Sequence, residues 1–434
     1  TQGAFDQSNG GGLLVIDSSV SILRNTIQGN FAEYSGGGLF LQLTSQSATI
    51  QYNLILGNTA GTSNGGGVSV RLGPAGSVQI ANNQVLSNGA ANSGGGLDVE
   101  GSGSGSIIAN TIESCYTDAS AEGGVGVFIQ GDAAQSLGLL IADNVIDANT
   151  GGGATVTGGG ILVGFGVGPN TRIVNNTIAG NNSAQAGGIG VYYGDGPGLP
   201  GSNPTIANNI IWGNTDLAGQ PDDLSGVSVL DGVLGATASV AADYNLVGSG
   251  NYSGAGNMIA DPMFVDPAAA DYHLNAGSPA IDSGNNPSVD AGLTTDFDGK
   301  PRIMGAGIDL GAYEQIAGAM YFISATAGVG CVIQPTGTIA VDNGGSQTFD
   351  MAPDPGYQIE GVLVDGAPVG AVGSYTFTGV TGNHTIAASF AAVTTYVIVA
   401  AAGPNGTISP SGAVTAQLGQ SQKFVITPGP GYHI

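Results

Sequence analysis

The stretch Gly158–Asn181, GGGILVGFGVGPNTRIVNNTIAGN, decides the fold. A glycine triplet opens it, followed by the apolar run Ile161, Leu162, Val163 and Phe165. A Gly/Pro/Asn turn comes next, and a second strand ends in Asn-Asn-x-Ile-x-Gly-Asn. The same pattern runs through the first half of the chain. Glycine clusters begin at Gly10, Gly36, Gly65, Gly94, Gly123, Gly158 and Gly187, in steps of 26, 29, 29, 29, 35 and 29 residues. An Asn-x-Ile/Val step recurs at Asn25, Asn53, Asn83, Asn110, Asn144, Asn176, Asn209 and Asn245, with a trailing Asn at Asn30, Asn58, Asn88, Asn149, Asn181 and Asn214. Self-similarity at this period is the mark of a solenoid.

The apolar positions are β-branched and two apart, as in Ile173–Val174 with Ile178, and no stretch shows helical i, i+3, i+4 spacing. Helical and leucine-rich repeats are thereby excluded, and the rung is too long for a nonapeptide calcium roll. The expected fold is all-β: a right-handed parallel β-helix with three short strands per coil, a C-terminal cap and small β modules beyond it. Equivalent residues of successive coils then stack about 4.8 Å apart. A column of Asn suits this spacing, because each amide bonds its neighbours above and below and tolerates a left-handed turn. The Asn column is therefore read as structural.

Composition narrows the function. Six basic against 31 acidic residues give a formal charge of −25, so nucleic acid and anionic membranes, which need basic patches, are poor partners. No apolar run reaches the ~18 residues of a membrane span. Two cysteines, Cys115 and Cys331, fall in different predicted domains, so no intrachain disulfide is expected. Cys115 takes a trailing-Asn position, and Cys331 is read as lying in a loop. Thr1–Asn9 reads as the tail of a preceding coil, as in part of a longer precursor.

Four segments are expected: the β-helix over 1–256, its cap over 257–316, a β module over 317–392 and an incomplete second copy over 393–434. Loops Asp132–Gly138, Asn149–Thr157 and Gly194–Asn203 vary in length and are where a binding edge would form. The cap carries Asp261-Pro262-Met263-Phe264-Val265-Asp266, Tyr272-His273-Leu274, Gly277-Ser278-Pro279-Ala280-Ile281-Asp282, Asp296-Phe297-Asp298-Gly299-Lys300-Pro301-Arg302 and Asp309-Leu310-Gly311-Ala312-Tyr313-Glu314. In block order it resembles the C-terminal region of bacterial choice-of-anchor Q surface proteins, which implies that it covers the open end of the helix.

Beyond it, Tyr321 matches Tyr396, Pro335 matches Pro410, Phe349 matches Phe424 and Gly356-Tyr357 matches Gly431-Tyr432, at a constant offset of 75. This module resembles the divergent InlB B-repeat family, which implies a spacer or adhesive stalk without catalysis. Cys331 stands where that family, like Gly406 in the second copy, has glycine. Half a β domain leaves open edges, so further sequence or a neighbouring molecule is expected to complete it.

Right-handed β-helices include pectate lyases and polygalacturonases, and a lyase needs an Arg or Lys base beside calcium-binding carboxylates. The helix offers only Arg24, Arg71 and Arg172 as bases, Arg24 and Arg172 reading as comparable positions, and no His occurs before His273. Asp222-Asp223 lies in a Pro-bearing loop, and Trp212 reads as packing rather than as a sugar platform. Asp98 and Glu100 share one face of a strand, where they could bind a cation or simply form a solvated face. His273, His384 and His433 are widely spaced. The best metal candidate is Asp296-x-Asp298-Gly299 with Asp290 or Asp309, whose alternating oxygens suit calcium; Asp298–Arg302 or Glu314–Arg302 ion pairs would explain the same residues.

These readings favour a non-catalytic protein of the cell surface or extracellular space, structural or adhesive. It would associate with itself or with surface proteins and glycans, as the subunit of a filament joined by strand exchange. The alternative is a polysaccharide lyase or hydrolase working in a loop-lined groove.

Overall fold

The computed structural model describes residues 9–118, 123–132, 136–153, 158–192, 202–227, 242–249, 254–315 and 320–434. Thr1–Ser8 and parts of the three variable loops lie outside these residues. The chain divides into two compact units, Thr1–Gly318 and Ala319–Ile434.

The first unit is a right-handed parallel β-helix. One coil shows how it is made. Strands Leu39–Leu43, Ser47–Gln51 and Leu54–Leu56 are followed by a two-residue strand, Thr59–Ala60. Each pairs in parallel with its counterpart one repeat later, Leu39 with Val68, Ile50 with Ile80, Ile55 with Val85 and Thr59 with Gly89. The coil thus carries four strands, not three. The fourth row is only two residues long, too short to leave an alternation pattern in the sequence.

Identical registers bring identical residues together. Ile50, Ile80, Ile107, Ile141, Ile173 and Ile206 form one unbroken stack with no solvent exposure. Each buried Ile contributes about 1.5–3 kcal/mol. The glycine triplets serve the corner between the fourth strand and the next first strand. Gly36 sits at φ +69°, and a Cβ on Gly38 would lie 2.6 Å from the Gly67 carbonyl oxygen. That corner allows the coils to approach only without side chains.

The segment after the coils begins at the helix end, where Met258–Ile259 adds in parallel to Leu246–Val247. Among the described residues its further contacts run down the side of the helix. Phe264, Tyr272, Leu274, Leu310 and Tyr313 pack on the outward-facing Val145, Ala179, Ile210 and Leu246 of four successive coils. Leu293 covers Ala142, Val174 and Ala207 on the adjoining sheet. Backbone joins the two as well, with Gly311 N–H donating to the Asn208 carbonyl and Ala312 N–H to the Thr177 hydroxyl. The reason is compositional: these coils carry apolar residues on their outside, which a flank strap removes from water.

The second unit contains the repeated module. Its first copy holds a five-stranded and a three-stranded sheet around Ile323, Phe349, Met351, Phe377 and Ile386. Cys331 opens the strand Cys331–Gln334 and is not in a loop. In the second copy Thr395–Ala400 pairs with Gly412–Gln417, and Gly406–Ser409 with Val425–Pro428, matching the first copy's ribbons. Ile323 is 0% exposed and its match Ile398 39%; Met351 is 5% exposed and its match Ile426 54%.

Candidate functional site

The Asn column is a continuous hydrogen-bonded ladder. The Oδ1 of Asn209, for example, accepts both the N–H and the Nδ2–H of Asn176, whose Nδ2 also donates to the Ile141 and Val174 carbonyls. The same bonds link Asn25, Asn53, Asn83, Asn110, Asn144, Asn176, Asn209 and Asn245 in turn. The ladder runs one step further, to Asn257, only 12 residues on. The trailing residues form a second ladder that ends on the Asp223 carboxylate rather than on an Asn. Cys115 interrupts it; its N–H donates to Asn149 Oδ1, and burial pushes its thiol up to about 12, so it stays protonated.

The other acids singled out in the sequence are engaged in the fold. Asp98 is fully buried, not solvated. It accepts from Ser69 and, at 3.0 Å, from Arg71, which also bridges to Glu100 at 2.8 Å. Arg24 and Arg172 are not equivalent: Arg24 lies over the Tyr52 ring, whereas Arg172 ties the helix to Asp290 of the strap. The tripeptide Asn214-Thr215-Asp216 stands near the end of the second ladder. Its Asp216 caps the turn through the N–H groups of Ala218 and Gln220, while Asp222 accepts from Ala186 N–H.

The calcium candidates are placed as follows. Asp296 accepts from the N–H groups of Lys300 and Glu314, and Asp309 from those of Asp282 and Gln315. Asp298 turns instead to His273 and Lys300, each at 2.8 Å. Among the described residues no three His, Cys, Asp or Glu side chains are grouped so as to hold a metal ion. Of the two ion pairs considered, Glu314–Arg302 forms at 3.0 Å and Asp298–Arg302 does not; Arg302 also reaches Asp143 at 3.0 Å. Burial pushes Asp143 and Asp309 up to about 7 and Glu314 up to about 8, against the pull of the one guanidinium they surround. His384 pairs with Asp365 in the second unit, and His433 is exposed.

A cleft of about 630 Å³ lies between the third sheet and the strap. Register builds its floor. Glu113 pairs with Asp147, Asp147 with Ala179 and Ala179 with Trp212, so all four occupy one outward column on successive coils. The turn Pro267–Ala270 forms the opposite wall, with Tyr272 at the base. Asp147 is 8% exposed. Burial raises its carboxyl, and the Glu113 charge adds to this, while the Tyr272 hydroxyl donates to it and opposes the rise. Trp212 is half-buried, packed on the strap cluster with part of its surface lining the cleft. None of the described lining residues carries a positive charge.

A family model described as "Right handed beta helix region" matches residues 62–232. The fold and this match together support a parallel β-helix protein. That fold serves both structural proteins and polysaccharide-degrading enzymes, so neither activity follows from it. No curated protein matches the chain. No described helix is long and apolar enough to cross a membrane.

Proposed function

We propose that this chain is a non-catalytic structural or adhesive protein of the cell surface or extracellular space, and that copies associate by β-strand addition at the second module. The observation behind this reading is an open apolar edge in the second copy, where Ile398 and Ile426 are 39% and 54% exposed while the matching Ile323 and Met351 of the first are buried. Tyr396, Val397 and Val399 are 55%, 62% and 75% exposed on a strand with one unpaired edge among the described residues. Such an edge accepts a partner strand through its backbone, and the apolar side chains supply the affinity. The resemblances to choice-of-anchor Q and InlB-like surface proteins support the setting. Sedimentation velocity over a concentration series tests it. Concentration-dependent assembly that Val399→Asp abolishes is expected; a single monomeric species throughout would refute the reading.

The enzymatic alternative has one observation in its favour, the stacked carboxyls of Glu113 and Asp147. Against it, Asp147 is buried and held by Tyr272, and no basic group lines the cleft to remove a proton as a lyase requires. Release of reducing ends from neutral or acidic polysaccharides would restore that alternative.

A further inference from the structure

We infer that the cleft between the third sheet and the strap is a binding site for an organic ammonium cation carried beside an apolar or ring surface. This site is independent of the strand-addition reading, since it lies wholly within the first unit.

Three features of the cleft point to such a ligand. The first is charge. Glu113 and Asp147 are neighbours in one column of a parallel sheet, about 4.8 Å apart along the helix axis. Two like charges at that spacing repel, and a cation placed between them relieves the repulsion. The next coil offers no compensation: the column continues with Ala179, and no described lining residue is basic. Elsewhere on the helix the same problem is solved internally, since Asp98 and Glu100 enclose Arg71. Glu113 and Asp147 have no such internal cation among the described lining residues.

The second feature is the aromatic group. Two coils beyond Asp147, about 9.6 Å along the helix axis, the column ends in Trp212, whose half-buried indole offers the apolar or ring part of the ligand a surface to stack on. The third is shape. Between the acids and the indole, Ala179 and Gly180 keep the floor low, and Ala268–Ala270 keep the wall smooth. Gly180 sits at φ +64°, and a Cβ there would lie 2.9 Å from Asp147 Oδ1. A larger residue would fill the floor beside the buried carboxylate. A uronate or phosphate would meet two carboxyls and no basic side chain here, so anionic ligands are disfavoured.

Two sources carry this chemistry, an amino sugar with a free amine and a quaternary ammonium head. Trp212 is the only tryptophan in the chain, so its emission reports on this cleft alone. The experiment titrates the whole protein with glucosamine oligomers, with their N-acetylated counterparts and with choline. A saturable change in emission with the glucosamine oligomers or choline, but not with the acetylated oligomers, is expected, and the arm that saturates at lower concentration identifies the source. Glu113→Gln should weaken that binding by about tenfold, the loss of one charge-assisted contact, with an unaltered melting temperature to show that the fold is intact. Calorimetry on Ala179→Leu, which keeps both carboxylates but raises the floor, should show the same loss. No saturable response to either cation, or an equal response to the acetylated oligomers, would overturn the inference.

Discussion

Arg302 and Asp143 stand 159 residues apart along the chain, yet their side chains meet at 3.0 Å, each 2% exposed. The guanidinium also bonds Glu314 and the carbonyls of Asp309, Gly311 and Ala312. It therefore fastens the strap to itself and to the helix flank at once. Removing one partner of such a knot leaves uncompensated buried charge, which costs about 3–5 kcal/mol. Arg302→Met should lose stability on this scale in urea denaturation, with early proteolytic cleavage within 257–315. Arg302→Lys should fare little better, because an ammonium cannot span two carboxylates and three carbonyls.

The same knot sets a pH dependence. Asp143, Asp309 and Glu314 hold their protons more tightly folded, at about 7, 7 and 8, than carboxyls do in an unfolded chain. Between about pH 4 and these values the unfolded chain binds fewer protons than the folded one, so stability falls as pH rises. The stabilisation is complete below about pH 4, and the loss levels off above about pH 8. Melting temperature should drop by about 5 °C or more from pH 5 to 8.5, and Asp143→Asn should flatten that slope. Asp298 has the opposite sign. The His273 hydrogen bond holds it down to about 2, so its contribution is lost as pH falls from about 4 towards 2.

The Asn ladder should show position dependence. Asn176 is fully buried and joined on both sides, whereas Asn25 is exposed. Asn176→Ala strands donors and acceptors on two coils and should cost about 3 kcal/mol, while Asn25→Ala should cost below about 1 kcal/mol. Chemical denaturation of the two variants makes the comparison.

Cys115 offers the converse. A sulfur there accepts from the Asn88 amides in place of an Asn oxygen. Cys115→Asn restores the ladder and should stabilise by about 1 kcal/mol. An unchanged or lower denaturation midpoint would mean that the site is shaped around the sulfur.

For calcium, the geometry leads to a plain expectation. Asp296 and Asp309 spend their oxygens on backbone N–H groups, and Asp298 on His273 and Lys300. Chelator should leave the melting temperature unchanged; a fall reversed by added calcium would show that these carboxylates bind the ion.

The solenoid was legible because its constraints recur in every coil: Gly36, Asn53 and Ile50 each have equivalents at the same register. The strap's position was not, since its contacts join Arg302 to Asp143 and Leu293 to Ala142, separations on which no periodicity bears. The cleft was legible in principle. Glu113, Asp147 and Trp212 each stand three residues after a ladder Asn, at Asn110, Asn144 and Asn209. Only the packing of the strap turns that column into a concavity.

Amide hydrogen exchange across 395–428, before and after assembly at high concentration, bears most directly on the proposed role. Strand addition predicts that protection rises along Thr395–Ala400 and Val425–Pro428, towards the level expected for the fully paired Met320–Ala327 and Gln347–Pro353, with the helix unchanged. Assembly that leaves 395–428 in fast exchange would contradict it.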